Sequence, residues 1–119
     1  MKDAAFAEYL PHIRQRWLDE QVGWQHRRAR AWESARRAAE VLRAQYSATQ
    51  ILAFGSLVQS GRYDDRSDID LAVKGVPVAK FFRAWADAER HSEFEMDLVD
   101  LSDCPERLEK EILREGVPL

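Results

Sequence analysis

Cysteine is almost missing from this 119-residue chain: Cys104 stands alone, so no internal disulfide can form, and a reducing compartment fits. Cys104 also has no histidine beside it, which argues against a catalytic thiol. The three histidines, His12, His26 and His91, are scattered and match no zinc spacing. No apolar run approaches the ~18 residues that cross a bilayer. The opening MKDAAFAEYLPHIRQRW lacks the continuous apolar stretch of a secretory signal. There is no repeat, no low-complexity tract and no strong basic excess, the net charge being −3. Direct nucleic-acid binding therefore has no global support. The expectation is a cytoplasmic protein without a membrane partner.

What is present is a soluble globular composition, 45% apolar and 33% charged, in a length that makes one compact domain. The charge is uneven. Residues 1–50 carry nine Lys/Arg against six Asp/Glu, and residues 51–119 carry nine against fifteen. The first part reads as helix over residues 3–46, with apolar side chains at Phe6, Leu10, Ile13, Trp17, Trp24, Ala31, Ala35, Ala38, Leu42 and Tyr46. Pro11 and Gly23 are expected to divide it. Such an arm, residues 1–46, must bury its stripe on its own domain or on another chain, and Trp17, Trp24 and Trp32 are anchors for either. Self-association through the arm is one such outcome. The basic cluster His26–Arg30 spreads around the helix and suits a solvated face or a protein contact.

Residues 47–119 read as the globular unit. Gln50–Phe54 is a short apolar strand ending at Gly55, followed by a turn or short helix from Ser56 and a turn-rich loop, GRYDDRS. Asp68–Val73 is a second strand, stopped by Gly75 and Pro77. An amphipathic helix over Val78–His91 presents Phe81, Phe82, Trp85 and Ala88 on one side. Phe94–Leu101 is a third strand. Asp103 is placed to cap a last helix with Pro105 in its first turn, ending at Gly116. The fold class is α/β (α+β), a small mixed sheet flanked by helices.

The second strand carries an anomaly. Alternation puts Asp68, Asp70 and Ala72 on one face and Ile69, Leu71 and Val73 on the other. Two anions held close to apolar neighbours repel each other and resist desolvation, and aspartate is a poor strand former. A divalent cation relieves these difficulties, and hard Mg²⁺ takes one or two carboxylates plus substrate phosphates. In the third strand Asp97 falls on the same face if the strands are neighbours. Asp100, the alternative third acid, would project from the apolar face near the strand end. Gly55 allows close backbone approach to a ligand, and Ser56 can donate its hydroxyl to a phosphate oxygen.

These residues resemble the nucleotidyltransferase superfamily typified by DNA polymerase beta. The likeness is greatest to the minimal nucleotidyltransferases, small prokaryotic proteins often encoded beside a helical HEPN protein. The pattern is Gly55-Ser56, eleven intervening residues, Asp68-Ile69-Asp70 and later Asp97; SDIDLAV, MDLVDL and ILREGVPL match the family's wording. The likeness spans roughly residues 47–119. It implies a polymerase beta-like fold and a Mg²⁺-dependent transfer, two ions assisting, of AMP from ATP to a hydroxyl. Asp68, Asp70 and Asp97 would be the catalytic and metal-binding residues, and Gly55, Ser56 and Ser67 the nucleotide-binding ones. It also implies a HEPN-type toxin as partner and acceptor, with the chain as antitoxin. A second expectation is a binding subunit that neutralises its partner by covering it. Many relatives carry Arg directly after Gly-Ser, where this chain has Leu57; Arg62, Arg66 and Lys74 are the candidates to replace it.

Overall fold

The computed structural model describes residues 2–119, with side chains from Tyr9 onward. Helix α1 (Lys2–Tyr46) leads into β1 (Gln50–Phe54), a 3-10 turn (Gly55–Leu57), β2 (Ile69–Lys74), α2 (Phe81–Glu89), β3 (Met96–Asp100), α3 (Glu106–Glu115) and β4 (Val117–Pro118). The sheet order is β3-β2-β1-β4. The β2–β3 pair is parallel and the other two pairs are antiparallel, so the sheet is mixed, as expected. β4 was outside the sequence expectation. It is two residues long and carries Pro118, yet it pairs Val117 with Ala53 in β1.

One helix runs unbroken past Pro11 and Gly23, contrary to the expected division. Proline's fixed φ suits a helix, and its missing donor removes a single bond on an exposed stretch. Gly23 adds only about 1 kcal/mol. Beyond it, burial holds the helix: Ala31, Ala35, Ala38, Leu42 and Tyr46 pack on Ile51, Ala53, Ile69, Leu71 and Val73 of the sheet. Trp24 and Trp32 pack against this core, half-buried. Leu10, Ile13 and Trp17 continue the same helical stripe towards the N-terminus and remain 47–55% exposed. Phe6 of that stripe lies outside the described side chains.

Helix α2 buries Ala84 and Ala88 and packs Phe81 and Trp85 on the core. Phe82, expected on that side, points outward and is 79% exposed. It lies one position round from Phe81, and its ring stacks on Trp85 from outside at 6.5 Å. Trp85 Nε1 donates to the carbonyl of Met96, and the Met96 N–H donates to Glu89 Oε2, both at 2.7 Å. These two side chains occupy the outward backbone groups of Met96 on β3, the outermost strand.

The second face of the sheet packs Leu52 and Ala72 against Leu101 and Ile112. Asp103 does not cap α3: Pro105 is the N-cap residue, with no side-chain bond, and the Asp103 N–H turns back to the Asp100 carbonyl. The Gly116 N–H closes the helix on the Ile112 carbonyl at 2.7 Å. Ile112 is the one fully buried α3 side chain. Ile112→Ala should cost about 2–4 kcal/mol, read as a lower denaturant midpoint at unchanged slope.

Candidate active site

Adjacent registers bring the acids together. Asp70 of β2 pairs with Phe54 at the end of β1 on one side and with Asp97 of β3 on the other. Neighbouring strands lie about 4.8 Å apart, so Asp70 and Asp97 stand side by side on one face. Ile69 and Leu71 point to the opposite face with Met96 and Leu98, into the core against α1. Asp68 precedes β2 by one residue and, two positions from Asp70, shares its side. Asp100 belongs to the other face; its Oδ1 accepts the Ser102 N–H at 2.9 Å and caps the turn after β3.

The Gly-Ser turn meets these acids directly. β1 ends at Phe54, and Gly55 turns the chain with φ +71. A Cβ on Gly55 would lie 2.3 Å from Asp70 Oδ2, so the carboxylate rests on the glycine where any other residue has a side chain. The N–H groups that open the turn have no intrahelical acceptor, and Ser56 sits half-buried beside them.

The electrostatics follow from this crowding. Burial pushes the Asp70 carboxyl up to about 6, helped by the charges of Asp97 and Asp68. The site therefore resists holding its own negative charge. Among the described residues, no three acidic, histidine or cysteine side chains enclose a point by themselves. The donor set instead fits a hard cation that takes one or two carboxylates and completes its shell from phosphate oxygens. Asp70, whose carboxylate rests on the turn, could serve as one such ligand.

The loop before Asp68 is braced from within. Asp64 N–H donates to Ser67 Oγ at 3.1 Å, and Arg66 N–H donates to Asp64 Oδ1 at 3.0 Å. The Arg66 N–H holds the Asp64 carboxyl below its ordinary range, assisted by Arg62. Ser67, expected at the nucleotide, thus uses its hydroxyl in this turn. Tyr63 is fully buried and donates to the Asp68 carbonyl at 2.9 Å; burial pushes its hydroxyl up to about 12. Of the cations weighed in place of an arginine at position 57, Arg62 pairs with Asp64 at 2.7 Å and lies over Trp24. Lys74 is at the far end of β2, four residues or about 13 Å from Asp70. Arg66 is exposed beside Asp68, where it lines a cleft of about 310 Å³ with Arg27, Ser67 and Glu95. Sequence reasoning missed Tyr63, Arg27 and Arg28. An aromatic residue in an otherwise polar loop was the available signal for Tyr63.

The family model for polymerase beta nucleotidyltransferases matches residues 37–119, starting within α1. Solved structures add three likenesses. One, described provisionally as a minimal nucleotidyltransferase, is 28% identical over 70% of this chain and 89% of its own, with a TM-score of 0.58. A mutant MntA–HpeT toxin–antitoxin structure is 25% identical over 68% of this chain and 67% of its own, at 0.56. A toxin–antitoxin structure with AMP-PNP is 23% identical over 71% and 70%, at 0.59, and shows likeness of fold. No curated protein is significantly similar to the chain.

Proposed function

Because the chain belongs to the polymerase beta nucleotidyltransferase family, we propose that it transfers AMP from MgATP to a hydroxyl of a partner protein. The observation that carries this reading is the side-by-side register of Asp70 and Asp97, with Gly55 against the Asp70 carboxylate. Asp68, Asp70 and Asp97 would hold Mg²⁺. When bound, it neutralises phosphate charge and polarises the α-phosphoryl group.

The chain's own residues then supply position and proton handling. Gly55 and Ser56 seat the β- and γ-phosphates through turn N–H groups and the Ser56 hydroxyl. Ser67 acts indirectly, by holding the loop that presents Asp68. Asp97, the exposed member of the trio, receives the proton of the acceptor hydroxyl. The acceptor oxygen forms a bond to the α-phosphorus, the α–β bridging bond breaks, and pyrophosphate leaves. In-line geometry does most of the work, since the protein forms no covalent bond.

The acceptor fits a toxin of the HEPN type, with this chain as antitoxin. A toxin–antitoxin structure among its neighbours supports a toxin as the partner, and the HEPN type comes from the family resemblance. In this reading residues 47–119 hold the transferase machinery with the buried half of α1 packed on it, and the exposed outer part of residues 1–46 forms the partner-facing arm. The exposed Leu10, Ile13 and Trp17 favour a second reading, in which covering the partner suffices to neutralise it.

ATP labelled at the α-phosphorus, given with Mg²⁺ and the co-expressed partner, should move its label to the partner; γ-labelled ATP should not. Absence of α-label on the partner overturns the transferase reading, and tight complex formation without it favours the covering subunit. Asp97→Asn should lower kcat by about 10²-fold or more while KM for ATP changes little, as loss of a proton acceptor requires.

A further inference from the structure

One cation of α1 reaches the Gly-Ser turn from behind. Arg28 donates from Nη1 to the Gly61 carbonyl at 3.1 Å and from Nη2 to the Ser56 carbonyl at 3.4 Å. Its guanidinium lies over the ring of Tyr63, 5.2 Å from the centroid, and Tyr63 in turn donates to the Asp68 carbonyl. A single side chain thus touches both ends of the 56–61 segment and, through Tyr63, the backbone at Asp68. It does so although its Nε is buried with no protein acceptor among the described residues.

The segment needs such a brace. It lies outside the sheet ladder, and residues 59–61 are exposed. In a trans peptide the carbonyl and the following N–H point in opposite directions. Holding the Ser56 carbonyl against Arg28 therefore turns the Leu57 N–H away from α1. That is the side of the sheet on which Asp70 and Asp97 stand.

We infer that Arg28 is a positioning residue of the transferase site, through which α1 fixes the phosphate-seating turn against the acids. The inference rests on the reading that Gly55 and Ser56 seat phosphates. It makes the inner half of α1 part of the site's architecture.

The test compares Arg28→Gln and Arg28→Lys with Arg30→Ala on the same helix, which breaks the exposed pair of Arg30 with Glu93 in the loop before β3. In the free protein, Arg28→Gln should speed amide exchange at residues 57–61 by about 10-fold and leave β1 and β2 unchanged. The Kd for MgAMP-PNP, and KM for ATP, should rise by about 10-fold with kcat within about threefold. Arg28→Lys, which keeps the charge and guards against a folding failure, should fall between Gln and wild type. Arg30→Ala should move neither reading. The inference is overturned if Arg28→Gln behaves like Arg30→Ala, or if exchange quickens while nucleotide affinity stays. A wild type that fails to bind MgAMP-PNP overturns the transferase reading itself, and the positioning role with it.

Discussion

Asp70→Asn should abolish nucleotidyl transfer, by about 10³-fold or more, and at the same time make the free protein more stable at neutral pH. Both effects come from one crowded carboxylate. In the folded chain its pKa is about 6 against an ordinary 3.8. Between those values the native state binds more protons than the unfolded state, so stability falls as pH rises through the window. Above about pH 6 the ionised carboxylate imposes its full cost. The whole shift corresponds to about 3 kcal/mol; because the side chain is only half-buried, solvent screening leaves about 1 kcal/mol. The asparagine variant should therefore melt about 4 °C higher at pH 7.5 in metal-free buffer. The gap should narrow as pH falls through that window and close below the ordinary value of 3.8, where Asp70 of the wild type is protonated in both states. Melting curves at four or five pH values would show this. A variant that melts lower at pH 7.5, or a gap independent of pH, would contradict the electrostatic account.

The second large effect belongs to Gly55→Ala. Two penalties fall on that methyl group. The backbone sits at φ +71, where an alanine costs about 1 kcal/mol. The new Cβ would also lie 2.3 Å from Asp70 Oδ2, so either the turn or the carboxylate must move. A combined loss of about 2–4 kcal/mol is expected. A displacement near 1 Å at the acid should lower transfer by about 10²-fold. A double-mutant cycle separates the two penalties. In an Asp70→Ala background the clash disappears and only the backbone term remains, so Gly55→Ala should cost at least about 1 kcal/mol less there. An equal cost in both backgrounds would show that the turn and the acid are not in contact.

Much of this site was legible because its signals are local. The run Gln50–Phe54 ends at a glycine, and the strand appears at those residues. Alternation in Asp68–Val73 and Met96–Leu101 assigns each side chain to a face, and the parallel register then places Asp97, not Asp100, beside Asp70. What stayed hidden depends on distant parts of the chain. The reach of Arg28 to Gly61 spans 33 positions, and its neighbours on the helix are equally basic, so no periodicity singles it out. β4 carries no strand signal of its own and exists because β1 offers an open side. The continuity of α1 was obscured by Pro11 and Gly23, whose modest penalties look larger in a sequence than in a helix anchored by a buried stripe from Ala31 to Tyr46. Phe82 fitted an amphipathic count but lies just past the edge of the buried arc.

Both rims of the sheet carry a block against further strands. At β3 the indole of Trp85 and the carboxylate of Glu89 occupy the groups that a new strand would seek at Met96, and at β4 Pro118 brings no donor to a rim only two residues long. Crowding the protein in a cell or a concentrated sample should therefore not drive it into ribbon-like polymers. Helical surfaces are left as the handles for assembly, where Trp17 and Phe82 stand out in water.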